Sequence, residues 1–240
     1  MVIYYLSLAL GLIGLAIFLR LRVEASTAKA AMAKSFVSAM FISAGVSAFL
    51  NSQALGQSIG WFGFFVIIGL LFGLFGDIWL DLKFVYRDDE DTHTFAGFLA
   101  FAAGHILFIY GLIRYFGDSS KLLYIILPIV LGIALGCATV LGAKLMKLEY
   151  GKYKAISMFY ASILITMTLL SGSLALMNSF KVMTLNLMFA GGVFFLISDL
   201  ILSGTYFGEG KNRPVDIITN HVTYYIAQYL IASSLLFLNK

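Results

Sequence analysis

Two aspartates stand where a carboxylate is hardest to place. Asp77 ends the string Gly69-Leu-Leu-Phe-Gly-Leu-Phe-Gly-Asp77, and Asp199 ends Gly191-Gly-Val-Phe-Phe-Leu-Ile-Ser-Asp199, each about sixteen residues into a long apolar run. A charged side chain at the centre of a membrane span costs at least ~2.5–3.5 kcal/mol on insertion scales, so such residues mark functional sites. Two carboxylates in a medium of low dielectric can supply both an acid and a base, because one keeps its proton while the other stays ionised. Other polar groups fall within reach of the same chemistry. His105 lies in Phe101-Ala-Ala-Gly-His105. His221, Tyr224 or Tyr225, and Gln228 follow at i, i+3/i+4 and i+7, so they share one helix face. Such groups position water or relay a proton, and a lone histidine also serves as a hydrogen-bond tie between helices.

The elements that must carry these residues are membrane spans. Of 240 residues 61% are apolar and 12% charged, against ~45–50% and ~25% in a soluble domain. A soluble core cannot hide so much apolar surface, and a disordered or nucleic-acid-binding chain needs the charge that is missing. The one cysteine, Cys137, excludes an intrachain disulfide and a thiolate metal cluster. Eight runs reach the length of a span: 2–19, 32–50, 59–82, 94–113, 122–143, 155–178, 183–206 and 216–238. They predict an all-α polytopic membrane protein that is one transmembrane domain. Loops after spans 1, 3, 5 and 7 carry 12 of the 16 Lys and Arg. By the positive-inside rule both termini then face away from the cytoplasm, a bacterial inner membrane being the expected setting. Asp81 reads as interfacial and paired with Lys83, His93 and the acidic run Asp88 to Asp91 as solvated, and Tyr4, Tyr5 and Trp61 as interface anchors.

The third and seventh spans also match each other. Gly69, Phe72, Leu74, Asp77 and Leu80 recur as Gly191, Phe194, Leu196, Asp199 and Leu202 at a constant offset of 122. Four spans separate the copies, so two parallel four-helix repeats are expected, about 1–118 and 119–240.

Four blocks carry a resemblance over nearly the whole chain: the two aspartate strings, Gly97-Phe-Leu-Ala-Phe-Ala-Ala-Gly-His105, and Thr223-Tyr-Tyr-Ile-Ala-Gln228-Tyr-Leu-Ile. They resemble the YhhN family, the integral-membrane lysoplasmalogenases. That family tends to show a Lys-Pro pair as the second span begins; here Lys29-Ala30 or Lys34 corresponds, and either lysine can hold the substrate phosphate as a point charge. The resemblance implies hydrolysis of the sn-1 vinyl ether of a lysoplasmalogen (lysoplasmenyl-ethanolamine or -choline) to a fatty aldehyde and glycerophospho-ethanolamine or -choline. It further implies no cofactor, Asp77 and Asp199 as the catalytic pair, and a lysophospholipid, with membrane lipid but no nucleic acid, as partner.

Two other readings use the same residues. Asp77, Asp199, His105 and His221 form a permissible zinc ligand set for a membrane hydrolase acting on another lipid. Parallel repeats with intramembrane carboxylates also suit a proton- or lipid-coupled transporter.

Overall fold

In the computed structural model, which describes residues 1–24, 27–209 and 213–239, the chain folds into eight long helices. They are α1 (Val2–Val23), α2 (Thr27–Asn51), α3 (Gly60–Val85), α4 (Glu90–Phe116), α5 (Leu123–Leu141), α6 (Lys154–Met177), α7 (Met183–Phe207) and α8 (Pro214–Ser234). Lys211 and Lys240, two of the charges used for orientation, lie outside the described residues. Seven helices are long and apolar enough to cross a membrane, and the eighth, α8, carries the polar face expected of it. The protein is therefore an all-α, multi-pass integral membrane protein.

Local chemistry marks the helix ends. Arg20 and Arg22 close α1 and Lys83 lies in the last turn of α3, where cations meet the negative end of the helix dipole. Glu90 and Asp91 open α4 for the converse reason. Pro214 starts α8 at the position whose N–H needs no partner, and Asp216 caps it by accepting from the Arg213 backbone N–H at 3.1 Å. Pro128 lies within α5, which nevertheless runs unbroken from Leu123 to Leu141.

Six helices close a ring in the order α2, α3, α4, α6, α7, α8 and back to α2. α1 lies outside it against α2, and α5 lies outside it against α6. Each of these pairings has a counterpart four helices further along the chain, which is the arrangement a parallel duplication requires. α8 belongs to the ring, which is why it can carry Asn220, Tyr224, Tyr225 and Gln228 on buried positions.

Small residues bring the helices this close. A Cβ on Gly104 of α4 would lie 2.8 Å from the Gly69 carbonyl oxygen of α3. In the other half a Cβ on Gly191 of α7 would lie 3.1 Å from the Ala227 carbonyl of α8. Helices α5 and α6 bring their backbones closer still, and a Cβ on Gly136 would lie 2.4 Å from Ser162 Cα. Gly136→Val must therefore lift α5 from α6. We expect a loss of about 1–3 kcal/mol, the usual cost of overpacking, seen as a lower thermal midpoint in detergent. An unchanged midpoint would show that α5 is not held at this contact.

Three sequence expectations fail here. Tyr4 is buried and shares a 2.7 Å hydrogen bond with Ser233, whereas Tyr5 and Trp61 are exposed. His93 is buried between Trp79 and Tyr86, at ring-centroid distances of 5.4 and 6.0 Å, because the α3–α4 connection is a single tight turn that folds α4 back over α3. Asp81 does not pair with Lys83; it binds Arg22 and, at 3.2 Å, Lys34. Residues two apart on a helix point to different sides, so Asp81 and Lys83 cannot meet. The run Asp88 to Asp91 is exposed as expected, with Asp91 meeting Lys152 and Tyr153.

Candidate active site

The ring surrounds a cavity of about 420 Å³. It lies toward the end where α3 and α7 finish, with exposed Arg87 and Glu90 at its rim and both Asp77 and Asp199 in its wall. The two carboxylates that the sequence singles out thus face one space.

Their surroundings differ. Asp77, buried on α3, accepts from Ser38 Oγ at 2.6 Å and from Tyr224 Oη at 2.6 Å, both on Oδ2. Lys34 Nζ lies 3.1 Å from its Oδ1. Gln228 Nε2 donates to Tyr224 Oη at 2.9 Å, so the phenol passes its own proton toward Asp77. Three donors, one cationic, are the environment of an ionised carboxylate. Asp199, on α7, accepts from Tyr160 Oη at 2.5 Å. Among the described residues no cation lies within ion-pair distance of it.

The difference is laid over a repeated frame. Ser38 and Tyr160 each precede the aspartate they serve by 39 positions, and they are themselves separated by the same offset of 122. α2 therefore supplies the donor for α3 in one half as α6 does for α7 in the other. At that offset Lys34 becomes Ile156 and Asp81 becomes Ser203. The cation and its second carboxylate belong to the first half only, and this is what makes two equivalent positions chemically unequal.

The remaining expected residues divide by location. Lys34, His221 and Tyr224 line the cavity. His221 Nδ1 lies 2.8 Å from the Ile217 carbonyl, which can only accept, so the ring donates there and its edge packs on Phe18. Tyr225 and Gln228 stand behind the wall, the Tyr225 hydroxyl lying 3.3 Å from both Ser38 Oγ and the Lys34 carbonyl. His105 also stands back. Its Nδ1 donates to the Phe101 carbonyl at 2.8 Å, its Nε2 is buried without a hydrogen-bond partner, and its ring lies among Phe108, Tyr160 and Phe195. Lys29 is exposed and does not line the cavity, since Thr27 and Lys34, seven residues apart, form the face of α2 turned to it and Lys29 is off that face. For this reason Lys34 is the lysine of the site.

Asp77, Asp199 and His221 border one cavity and His105 stands back from it, and among the described residues no three His, Cys, Asp or Glu side chains form a metal-binding group. Ser38, Tyr160, Arg22 and Lys83 line or support the cavity without having been singled out in the sequence. For Ser38 and Tyr160 a signal existed, because the offset of 122 relates them as it relates the aspartates. For Arg22 and Lys83 there was none beyond their charge.

Compared with known protein families, residues 29–235 match the YhhN family. No curated protein and no solved structure matches the chain.

Proposed function

The chain belongs to the YhhN family, which is associated with lysoplasmalogenase-type hydrolase activity, and on that premise we propose that it hydrolyses the sn-1 vinyl ether of lysoplasmalogens by two-aspartate acid/base catalysis. The observation that carries the reading is the pair of carboxylates on one cavity, buried Asp77 bonded to a lysine and half-buried Asp199 to a phenol alone.

A vinyl ether resists base and yields to acid. Protonation of its β-carbon produces an oxocarbenium ion, water adds to the α-carbon, and the hemiacetal collapses to an aldehyde and an alcohol. In this scheme Asp199 holds the proton and delivers it, with Tyr160 orienting the carboxyl. Asp77, kept anionic by Lys34, Ser38 and Tyr224, faces the cation and takes a proton from the attacking water. The logic matches glycosidases, where two carboxyls flank an oxocarbenium-like state. His221 borders the same space and orients water or a glycerol oxygen. His105, Tyr225 and Gln228 act through the residues in front of them. No step calls for a cofactor.

The reading places the cavity mouth on the cytoplasmic side of a bacterial inner membrane and both termini opposite, because the basic loops gather at the mouth end. The two halves are, on the same reading, duplicates of one four-helix unit.

The test is release of fatty aldehyde from lysoplasmenyl-ethanolamine by detergent-purified protein. Release supports the proposal, and none from folded protein overturns it. Tyr224→Phe removes one donor to the Asp77 carboxylate, a bond to a charged group of about 1.5–3 kcal/mol. We expect kcat to fall roughly 10–100-fold, by the same figure, with KM little changed. A changed KM at constant kcat would make Tyr224 a binding residue instead.

A further inference from the structure

Beside the main cavity, and sharing part of its wall, lies a smaller chamber of about 90 Å³ between α5, α6 and α7. Phe98, Tyr160, Asp199, Leu202 and Tyr206 border both spaces, so Asp199 stands at the junction. The lining beyond it is mainly apolar, including Val140, Leu164 and Leu196. It reaches Leu200, which is 57% exposed on the outer side of α7. α5 is packed outside the ring on α6, leaving this chamber beneath it open toward the surface that faces lipid.

In the wall of the main cavity, toward its mouth, is a cation with no acidic partner among the described residues. Lys83 is buried, yet among the described residues no carboxylate pairs with it. Its Nζ lies 3.3 Å from the centre of the Tyr206 ring, and it lines the cavity near the rim residues Arg87 and Glu90. The acid next to it in sequence, Asp81, is occupied by Arg22 and Lys34. The rings of Tyr206 and Phe84 and the C-terminal end of α3 hold this lysine, and with no carboxylate paired to it its charge is free to meet an anion brought from outside the chain.

We propose that the site takes a single-chain phospholipid in one direction, its phosphate on Lys83 at the mouth and its aliphatic chain past Asp199 into the α5–α6–α7 chamber and out toward the bilayer. This deepens the lysoplasmalogen reading and rests on it for the chemistry alone. The β-carbon of a vinyl ether is on the chain side and the ether oxygen on the glycerol side. In this direction the β-carbon meets Asp199 and the headgroup side meets Asp77 and Lys34. The direction also separates the products, since the aldehyde follows its chain into lipid and the water-soluble glycerophospho-compound leaves by the mouth. Lys34, committed to two aspartates, is not the phosphate ligand; Lys83 is.

Binding tests this without catalysis. The probe is 1-O-hexadecyl lysophosphatidylethanolamine, whose saturated ether cannot follow the vinyl ether route, compared by native mass spectrometry with 1-O-hexadecylglycerol, which lacks the phosphate. Lys83→Gln is expected to weaken the phospholipid at least tenfold and leave the glycerol ether unchanged, and Lys83→Arg to retain most of the affinity. Equal weakening of both ligands, or of neither, overturns the phosphate assignment. For the chain, the same lipid with a diazirine in mid-chain is photolysed on wild-type protein. Adducts between residues 139 and 148, at the end of α5 and in the turn after it, or at 200–203 of α7 support the chamber; adducts confined to α1, α2 or α8 overturn it. Failure of aldehyde release with these binding results intact would sink the vinyl ether chemistry and leave the direction of binding standing.

Discussion

Asp77→Asn and Asp199→Asn should each lower kcat for aldehyde release by about 10²–10⁴-fold, the contribution of a positioned acid or base. Neither variant should lose its fold. Asn at 199 keeps an oxygen for Tyr160, and at 77 it keeps one for Ser38 and Tyr224 while Lys34 retains Asp81. The amide can neither give the proton that starts the reaction nor take one from water. The two losses arise at different steps, so they differ in how substrate protonation responds. With Asp199→Asn the vinyl ether is never activated, and solvent deuterium should not exchange into the β-carbon. With Asp77→Asn protonation by Asp199 remains available while capture by water is slowed, so the oxocarbenium ion returns and the unreacted vinyl ether should gain solvent deuterium at that carbon. Measuring residual kcat and the deuterium content of the recovered vinyl ether in heavy water checks both. Near wild-type activity in either variant would remove the two-carboxylate scheme, and a reversed deuterium pattern would exchange the roles.

The positions of Asp77 and Asp199 were legible because membrane helices exclude carboxylates, so each stands out from a run of apolar neighbours. The repeat made them comparable, and the ring of six helices explains how equivalent positions come to face one cavity. What separates their chemistry was not legible. It depends on Lys34 of α2 reaching across to α3, and on position 156 of α6 being Ile. Hydropathy locates a helix along the chain but not its rotation about its own axis against a neighbour. The same limit hid the pairing of Arg22 with Asp81, which joins α1 to α3, and left Asp81 wrongly matched to its sequence neighbour Lys83. His105 shows the same limit from the other side. Its place in a small-residue string is right for a polar pocket, but its donor satisfies its own helix and its ring faces aromatics. Span ends were also underestimated, as in α4, expected at 94–113 and found at Glu90–Phe116. Polar turns extend helices beyond the apolar stretch that hydropathy detects.

Lys34→Met should be the most destabilising substitution in the site. Lys34 is 7% exposed, and the carboxylates of Asp77 and Asp81 beside it are 2% and 3% exposed. Replacing such a pair by apolar groups can be nearly neutral, but removing one partner strands the other charge and costs about 3–5 kcal/mol. Asp81 keeps Arg22, so the stranded group is Asp77, whose other partners are neutral hydroxyls. The penalty should therefore be specific to Asp77 and reversible by neutralising it. We expect Lys34→Met to lower the unfolding midpoint in detergent sharply, and Lys34→Met with Asp77→Asn to recover most of the loss while remaining inactive. Lys34→Met with Asp81→Asn should recover much less. Because these residues touch, the double variants will not be additive, and the size of the coupling measures the pair directly. Equal rescue by both second substitutions would mean that Lys34 serves the two aspartates alike. Its absence from the second half would then no longer explain why Asp77 and Asp199 differ.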